Sequence, residues 1–433
     1  MKIPINILVG LFLIISLSIF NCKPSENKFK SLLDDDEIAT LTSDNETELL
    51  EAIKILNKNG GTIYIDTPII NMDEYSLLTI SGTLSGGIIG IRQSNGEYPR
   101  INFVHSNKTR ETSSGVMIKG SNKFIEYMIF ENSFKYGIEV VGSNNILDHV
   151  VSRYNYGPGF LIRGSFNSFN YCYSYRNCDT NIFSINGDGF KINGELNNVF
   201  SYCFAWDNGN SGFHYTRLSN SSDLSYVHSG SWNNGNVDVF TGKYDYDNGS
   251  PLDKNLWTIR DMILSDENFV GNYYNKKYNI DEAKIDQYTV EEWINHVNPR
   301  MDGDGFTFGS LNNTQNIDVK RNSFYNVAFD HKSGGFIDKY DHRYNAFVTD
   351  CVSFNNGINY RLTYALTKWS NNWSWNSNIK DQFKEDVILK KPRNQNAAQR
   401  QFYVIRDKIK QAVFANMFPD NVNFDAAIQE LKE

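Results

Sequence analysis

Proline is scarce in this sequence, and so is cysteine. Nine prolines in 433 residues leave most backbone N–H groups able to donate, as long hydrogen-bonded ladders require. Five cysteines in a chain of this length exclude a small disulfide-stapled scaffold. An excess of positive charge is also missing. Lys and Arg number 42 against 50 Asp and Glu, a net charge of −8, so no global field draws in a polyanion, which argues against nucleic acid as a partner. An acidic polymer would need a bridging cation or local basic residues. The longest apolar run, Ile5–Phe20, follows Lys2 and precedes Asn21-Cys22. It is too short for a comfortable membrane span and reads as a signal peptide over residues 1–22. Cys22 is then a candidate lipid-modified residue, and polar residues 23–37 read as a tether. The expected location is secreted, or lipid-anchored at the cell surface.

What the sequence does have is aromatic residues, asparagine and a repeat. The unit is Asn, nine residues, Asn: Asn122-KFIEYMIFE-Asn132, Asn145-ILDHVVSRY-Asn155, Asn167-SFNYCYSYR-Asn177 and Asn198-VFSYCFAWD-Asn208. It returns as Asp223-LSYVHSGSW-Asn233, Asn316-IDVKRNSFY-Asn326 and Asn345-AFVTDCVSF-Asn355. Most units are followed by a second short strand behind a glycine, such as Gly159-FLIRG, Gly189-FKING, Gly212-FHYTR and Gly305-FTFGS. Their alternation, Phe inward and the next residue outward, is the period of a half-buried strand. Short strands joined by Asn and Gly turns every 22 or so residues describe one coil of a parallel β-helix, an all-β solenoid in which stacked coils share a core. The recurring Asn suits a corner, where its amide can bridge the backbone of neighbouring coils.

The open ends of such a solenoid need covering. Residues 47–61 read as an amphipathic helix capping the N-terminal end, and residues 396–433 as a helical segment lying over the last coil. The solenoid is expected over 38–395, broken by a long insertion at 243–300. Cys172, Cys178, Cys203 and Cys351 read as buried thiols, with one disulfide, Cys172–Cys178 or Cys172–Cys203, as the alternative. Trp206 and Trp232 read as packing residues. Trp369-SNNWSW is less regular, and exposed there it would suit stacking on sugar rings.

The run Gly187-DGFKINGELNNVFSYCFAWDNGNSGF, with Ser231-WNNG and Asp302-GDGFTFGS, resembles family nine of the polysaccharide lyases. Asn355-NGINYRL, Ser370-NNWSW and Leu389-KKPR agree with its later coils, so the resemblance covers about 120–395. It implies a right-handed parallel β-helix that cleaves an acidic, plant-type polyuronate by β-elimination. That chemistry takes calcium on several carboxylates and a lysine base. Asp188 matches the family's first calcium ligand. The Asp pair falls on Asn210 and Ser211, a further Asp on His214, and the catalytic Lys on Thr307. Calcium held by Asp188 and Asn210 would therefore be weak.

The residues themselves suggest another arrangement. Outward positions line up coil on coil as Leu161, Lys191, His214, Asp238 and Thr307, with Asp188, Asp302 and Asp304 at the strand entrances. Lys191 and His214 are the candidate bases, and histidine titrates in a suitable range. Asp238, Asp302 and Asp304 are candidate substrate-binding residues. The plainer reading makes these surface ion pairs and turn residues. Two functions follow: a monomeric extracellular polysaccharide lyase, or a non-catalytic cell-surface β-helix that binds glycan or acts as an adhesin.

Overall fold

The computed structural model describes residues 37–72, 77–103, 115–133, 136–155, 157–177, 187–194, 197–218, 223–235, 303–308, 320–338, 345–363, 366–383, 387–419 and 421–432. The leader and tether at 1–36, Cys22, Cys178, Asp238, Asp302, Asn316 and the insertion at 243–300 lie outside them. Strands pair in parallel with the strand one coil away: Ile146–Arg153 lies between Lys123–Glu131 on one side and Ser168–Asn170 with Tyr173–Tyr175 on the other. The coils build one sheet of ten strands and one of nineteen. The larger bends into two faces, because strands such as Ile146–Arg153 turn a corner at a residue in the left-handed region, His149 at φ 51°. The expected parallel β-helix is what forms.

The ten-strand sheet shows why its strands begin with Gly-Phe. Phe160, Phe190, Phe213, Phe306 and Phe336 stack inside the solenoid with ring centroids 4.6, 4.7, 4.7 and 5.1 Å apart. Each buried ring contributes about 1.5–3 kcal/mol over an exposed one. The preceding glycine keeps the corner open. A Cβ on Gly159 would collide with Ser174 Oγ and Asn177 Nδ2, and one on Gly212 with Ser231 Oγ and Asn234 Nδ2.

Those amides form the ladder that the repeat foretells. Backbone N–H groups of Ser133, Asn155, Asn177 and Asn208 each donate to the side-chain oxygen of the next coil's Asn, at 2.9, 3.1, 3.2 and 3.0 Å. A second column runs from Lys123 through Asn145 and Asn167 to Asn198. Not every repeat unit lies in this register. Asn122, Asn132, Asn233 and Asn355 sit one residue earlier, in left-handed conformation at φ 51–62°. Asn326 belongs to a middle column, where its oxygen accepts from Ser229 N. The spacing of ten survives either way because both ends of the arm shift together. Asn208 alone bonds Ser174 O, Asn234 Oδ1 and both nitrogens of Asn177. Asn208→Ala strands several buried polar groups and should destabilise the protein by roughly 2–3 kcal/mol in urea titrations.

Cys172, Cys203 and Cys351 occupy the middle column as free buried thiols. Cys172 and Cys203 donate to Leu147 O and Phe169 O of the preceding coil, which replaces the disulfide alternative between them.

Helix α1 (Glu46–Asn59) is capped by Asn45, whose side chain accepts from Glu48 N, and buries Leu49, Ala52, Ile53 and Leu56. Asn57 docks it on the first coil by donating to Thr79 O and accepting from Ser81 N. The C-terminal helices α2 (Gln395–Phe414) and α3 (Asp425–Glu430) depart from expectation. They run lengthwise along one face of the larger sheet instead of closing the last coil. Phe402 meets Phe354 and Trp375, Phe414 meets Tyr175 and Trp206, and Phe418 reaches Tyr98 and Tyr127. The reason is a second apolar layer on the outside of the solenoid: Tyr173, Phe204, Trp206, Trp232, Phe329, Phe354 and Trp375 all point outward there and are buried by the tail. Trp373 and Trp375 are buried at 5% and 2% exposure, so the Ser370-NNWSW segment presents no open aromatic row.

Candidate functional site

The site is assembled on consecutive strands of the ten-strand sheet, Phe160–Ile162, Phe190–Gly194, Phe213–Leu218 and Phe306–Thr307. Register places Leu161 opposite Lys191 and Lys191 opposite His214. Because Phe190 and Phe213 point into the core, the next residue of each strand points out. The rung after His214 is filled by Thr307, since Phe213 pairs directly with Phe306. Thr307 is fully buried, and its hydroxyl oxygen accepts from Tyr215 N at 2.9 Å. It is a wall residue of this sheet.

Asp188 sits at the strand entrance, also fully buried. Its Oδ1 accepts from Asn210 Nδ2 at 2.7 Å and from Ser211 N at 3.2 Å, and lies 3.0 Å from His214 Nδ1. Lys191 Nζ stands 3.8 Å from its Oδ2. One carboxylate thus gathers Lys191, Asn210, Ser211 and His214. The cup is fixed by backbone on both rungs: Asn210 N donates to Gly187 O, and Gly189 N to Ser211 O, each at 2.9 Å. His214 is almost buried, at 9% exposure, and Lys191 is partly open.

Asp304 lies on a later rung. Its backbone carbonyl accepts from Gly212 N, which puts it one rung beyond Ser211 and two beyond Asp188, about 10 Å away at the usual strand spacing. Asp238 and Asp302 lie outside the described residues. Reading the residues missed Ser211 as a donor, because the bond uses its backbone.

Calcium prefers about six to eight oxygen ligands. Asp188 is approached by an amide nitrogen, a backbone N–H, an imidazole and an ammonium. This donor set does not suit calcium at Asp188 and Asn210. Among the described residues no group of three or more His, Cys, Asp or Glu is placed to hold a metal ion. The arrangement instead suits proton transfer and recognition of an anion, through an imidazole and an ammonium presented side by side.

Comparison with known proteins agrees with this architecture. No curated protein matches the sequence. Among solved structures, the crystal structure of pectate lyase Pel9A is similar at 16% identity and TM-score 0.55, covering 83% of this chain and 80% of that one. A rhamnogalacturonan lyase is similar at 12% identity and TM-score 0.43, over 78% and 73%. The family model described as Pel9A-like, right handed beta helix region matches residues 33–250, half of the chain. The chain belongs to the Pel9A-like right-handed β-helix family.

Proposed function

We propose that the chain is an extracellular carbohydrate-active protein, a lyase that cleaves an acidic polyuronate by β-elimination. The observation that carries this reading is the placement of Lys191 and His214 on neighbouring rungs, both against Asp188. Similarity to a pectate lyase fold supports the class of substrate.

The residues divide the work as follows. β-Elimination removes the proton at C5, beside the uronate carboxylate, and then breaks the bond between C4 and the departing oxygen. His214 accepts the C5 proton. The C–H electron pair becomes the C4–C5 double bond, and the leaving oxygen takes a proton from solvent. The Lys191 ammonium offsets the charge that builds on the substrate carboxylate, a service electrostatic groups perform well when partly desolvated. Residues 1–22 and Cys22 support export and anchoring at the membrane surface, with the solenoid acting as a monomer.

A second reading has its own support. With Thr307 in the wall in place of a lysine, the groove would bind glycan or act as an adhesin without turning it over.

Purified protein with polygalacturonate and related polyuronates, with and without calcium, should show rising ultraviolet absorbance from unsaturated products. His214→Ala and Lys191→Ala should each cut turnover on the order of a hundredfold or more. Cys22→Ser should shift the protein from the membrane to the soluble fraction. No absorbance change on any polyuronate, with retention on a glycan array, would replace the lyase with the binding protein.

A further inference from the structure

We infer that Asp188 is the positioning residue of a histidine dyad and that the site works without calcium. The inference takes from the proposed function only that His214 is the proton acceptor, and its substrate-free tests do not need even that.

An ionised carboxylate can only accept hydrogen bonds. With Asp188 Oδ1 3.0 Å from His214 Nδ1, the proton of a neutral imidazole must sit on Nδ1. The lone pair is then on Nε2, the nitrogen on the far side of the ring. The same rule orients Asn210, since only its Nδ2 can stand 2.7 Å from that carboxylate oxygen. Asp188 is completely buried, and such a carboxylate is costly unless donors surround it. Here Asn210, Ser211 N and His214 all converge on Oδ1, with the Lys191 ammonium at Oδ2.

A calcium ion entering this cup would have to displace the ammonium and break the imidazole contact. It would still face Ser211 N, which cannot turn away without opening the corner held by Gly189 N→Ser211 O. The replacement is coherent across the site. Where His214 stands in place of a family carboxylate, the remaining carboxylate holds the ring. Lys191, directly opposite in register, brings the positive charge that a metal would otherwise supply. The base and the charge are thus both provided by side chains, and Asp188 touches neither substrate nor solvent.

Three measurements test this. Calorimetric titration of the wild type with calcium chloride alone should show no saturable binding. Long-range proton–nitrogen spectra should show His214 with its proton on Nδ1. In Asp188→Asn the amide can present its NH2 to Nδ1, so the proton should move to Nε2 with the circular dichroism unchanged. Any polyuronate cleavage should then fall on the order of a hundredfold or more in kcat with KM held, as expected for a base in the wrong tautomer. Saturable calcium binding that Asp188→Ala abolishes would overturn the inference. So would a wild-type His214 protonated on Nε2. If Asp188→Asn fails to fold, the two wild-type readouts decide. If no polyuronate is cleaved while the titration and tautomer come out as stated, the lyase reading falls and the dyad stands.

Discussion

Arg153→Ala should lower stability by about 3–5 kcal/mol, read as an earlier urea midpoint with little change in slope. Arg153 is buried on the outside of the solenoid beneath the C-terminal tail, with Glu131 one rung away. Its Nε donates to Glu131 Oε2 at 2.7 Å, one terminal nitrogen to Tyr175 Oη at 2.8 Å and the other to Asn416 Oδ1 at 2.8 Å. Burial works against its charge, but Glu131 and Tyr175 more than offset it and hold the guanidinium well above its ordinary range. Truncation leaves Glu131, itself 4% exposed, with Arg100 at 3.7 Å as its remaining ion pair. It also removes the side-chain bond to Asn416 and leaves the tail tied there by Tyr98 N, which donates to Asn416 O. The paired change Arg153→Met with Glu131→Leu should lose less than Arg153→Ala alone, because no buried charge is stranded. A double variant as unstable as the single one would show that packing, and not the stranded carboxylate, sets the loss.

The second large effect depends on pH. His331 takes the place of an asparagine in the corner ladder: its Nδ1 accepts from Asn234 N, while its own N donates to Asn356 Oδ1. Burial pushes its pKa down from 6.5 to about 3. The folded protein keeps the ring neutral, whereas the unfolded chain protonates it near the ordinary histidine value. The stability it contributes is therefore complete above about pH 6.5 and is lost as pH falls towards 3, at roughly 1.4 kcal/mol per pH unit. His331→Asn keeps a ladder acceptor that does not titrate. At pH 4 the variant should exceed the wild type by roughly 3 kcal/mol, beyond any difference at pH 7.5. Equal pH slopes for the two proteins would mean that His331 is not the group responsible.

His331 also shows where sequence reading loses the thread. The ladder has a local signature that the Asn-to-Asn spacing does not capture, a serine three residues ahead of four of its Asn residues, with Ala205 in that place before Asn208. Ser152 with Asn155, Ser174 with Asn177, Ser231 with Asn234 and Ser353 with Asn356 each join hydroxyl and amide at about 3.0 Å. At His331 the corresponding residue is Ala328, so both halves of the pattern change at once. The left-handed residue before each ladder position is chemically varied, being Tyr154, Arg176, Asp207 or Asn233. An Asn-rich chain can therefore be read one residue out of register without losing its period.

The middle corner carries a further signal in plain sight. Tyr127, His149, Tyr171, Tyr202, His228 and Tyr325 hold φ of 48–55°, a conformation that costs a bulky residue about 1–3 kcal/mol. Their rings stack in one column with centroids 4.7–4.9 Å apart, which offsets the strain. The stacked faces are spent on one another, so this column does not offer a platform to a sugar ring.

Local chemistry written along the chain determined the winding of this protein. Phe in the second place of a Gly-Phe strand, Asn at the corners and the spacing between them act over one coil, and a coil repeated on itself needs no distant information. The same register also set Lys191 beside His214, since outward positions of adjacent rungs must meet. Only the tertiary structure decided that Asp188 would face inward on a histidine and an amide, because a carboxylate's role depends on which donors surround it. It alone decided that α2 and α3 would run along the flank, because the outward Trp and Phe layer they cover exists only once the coils have stacked.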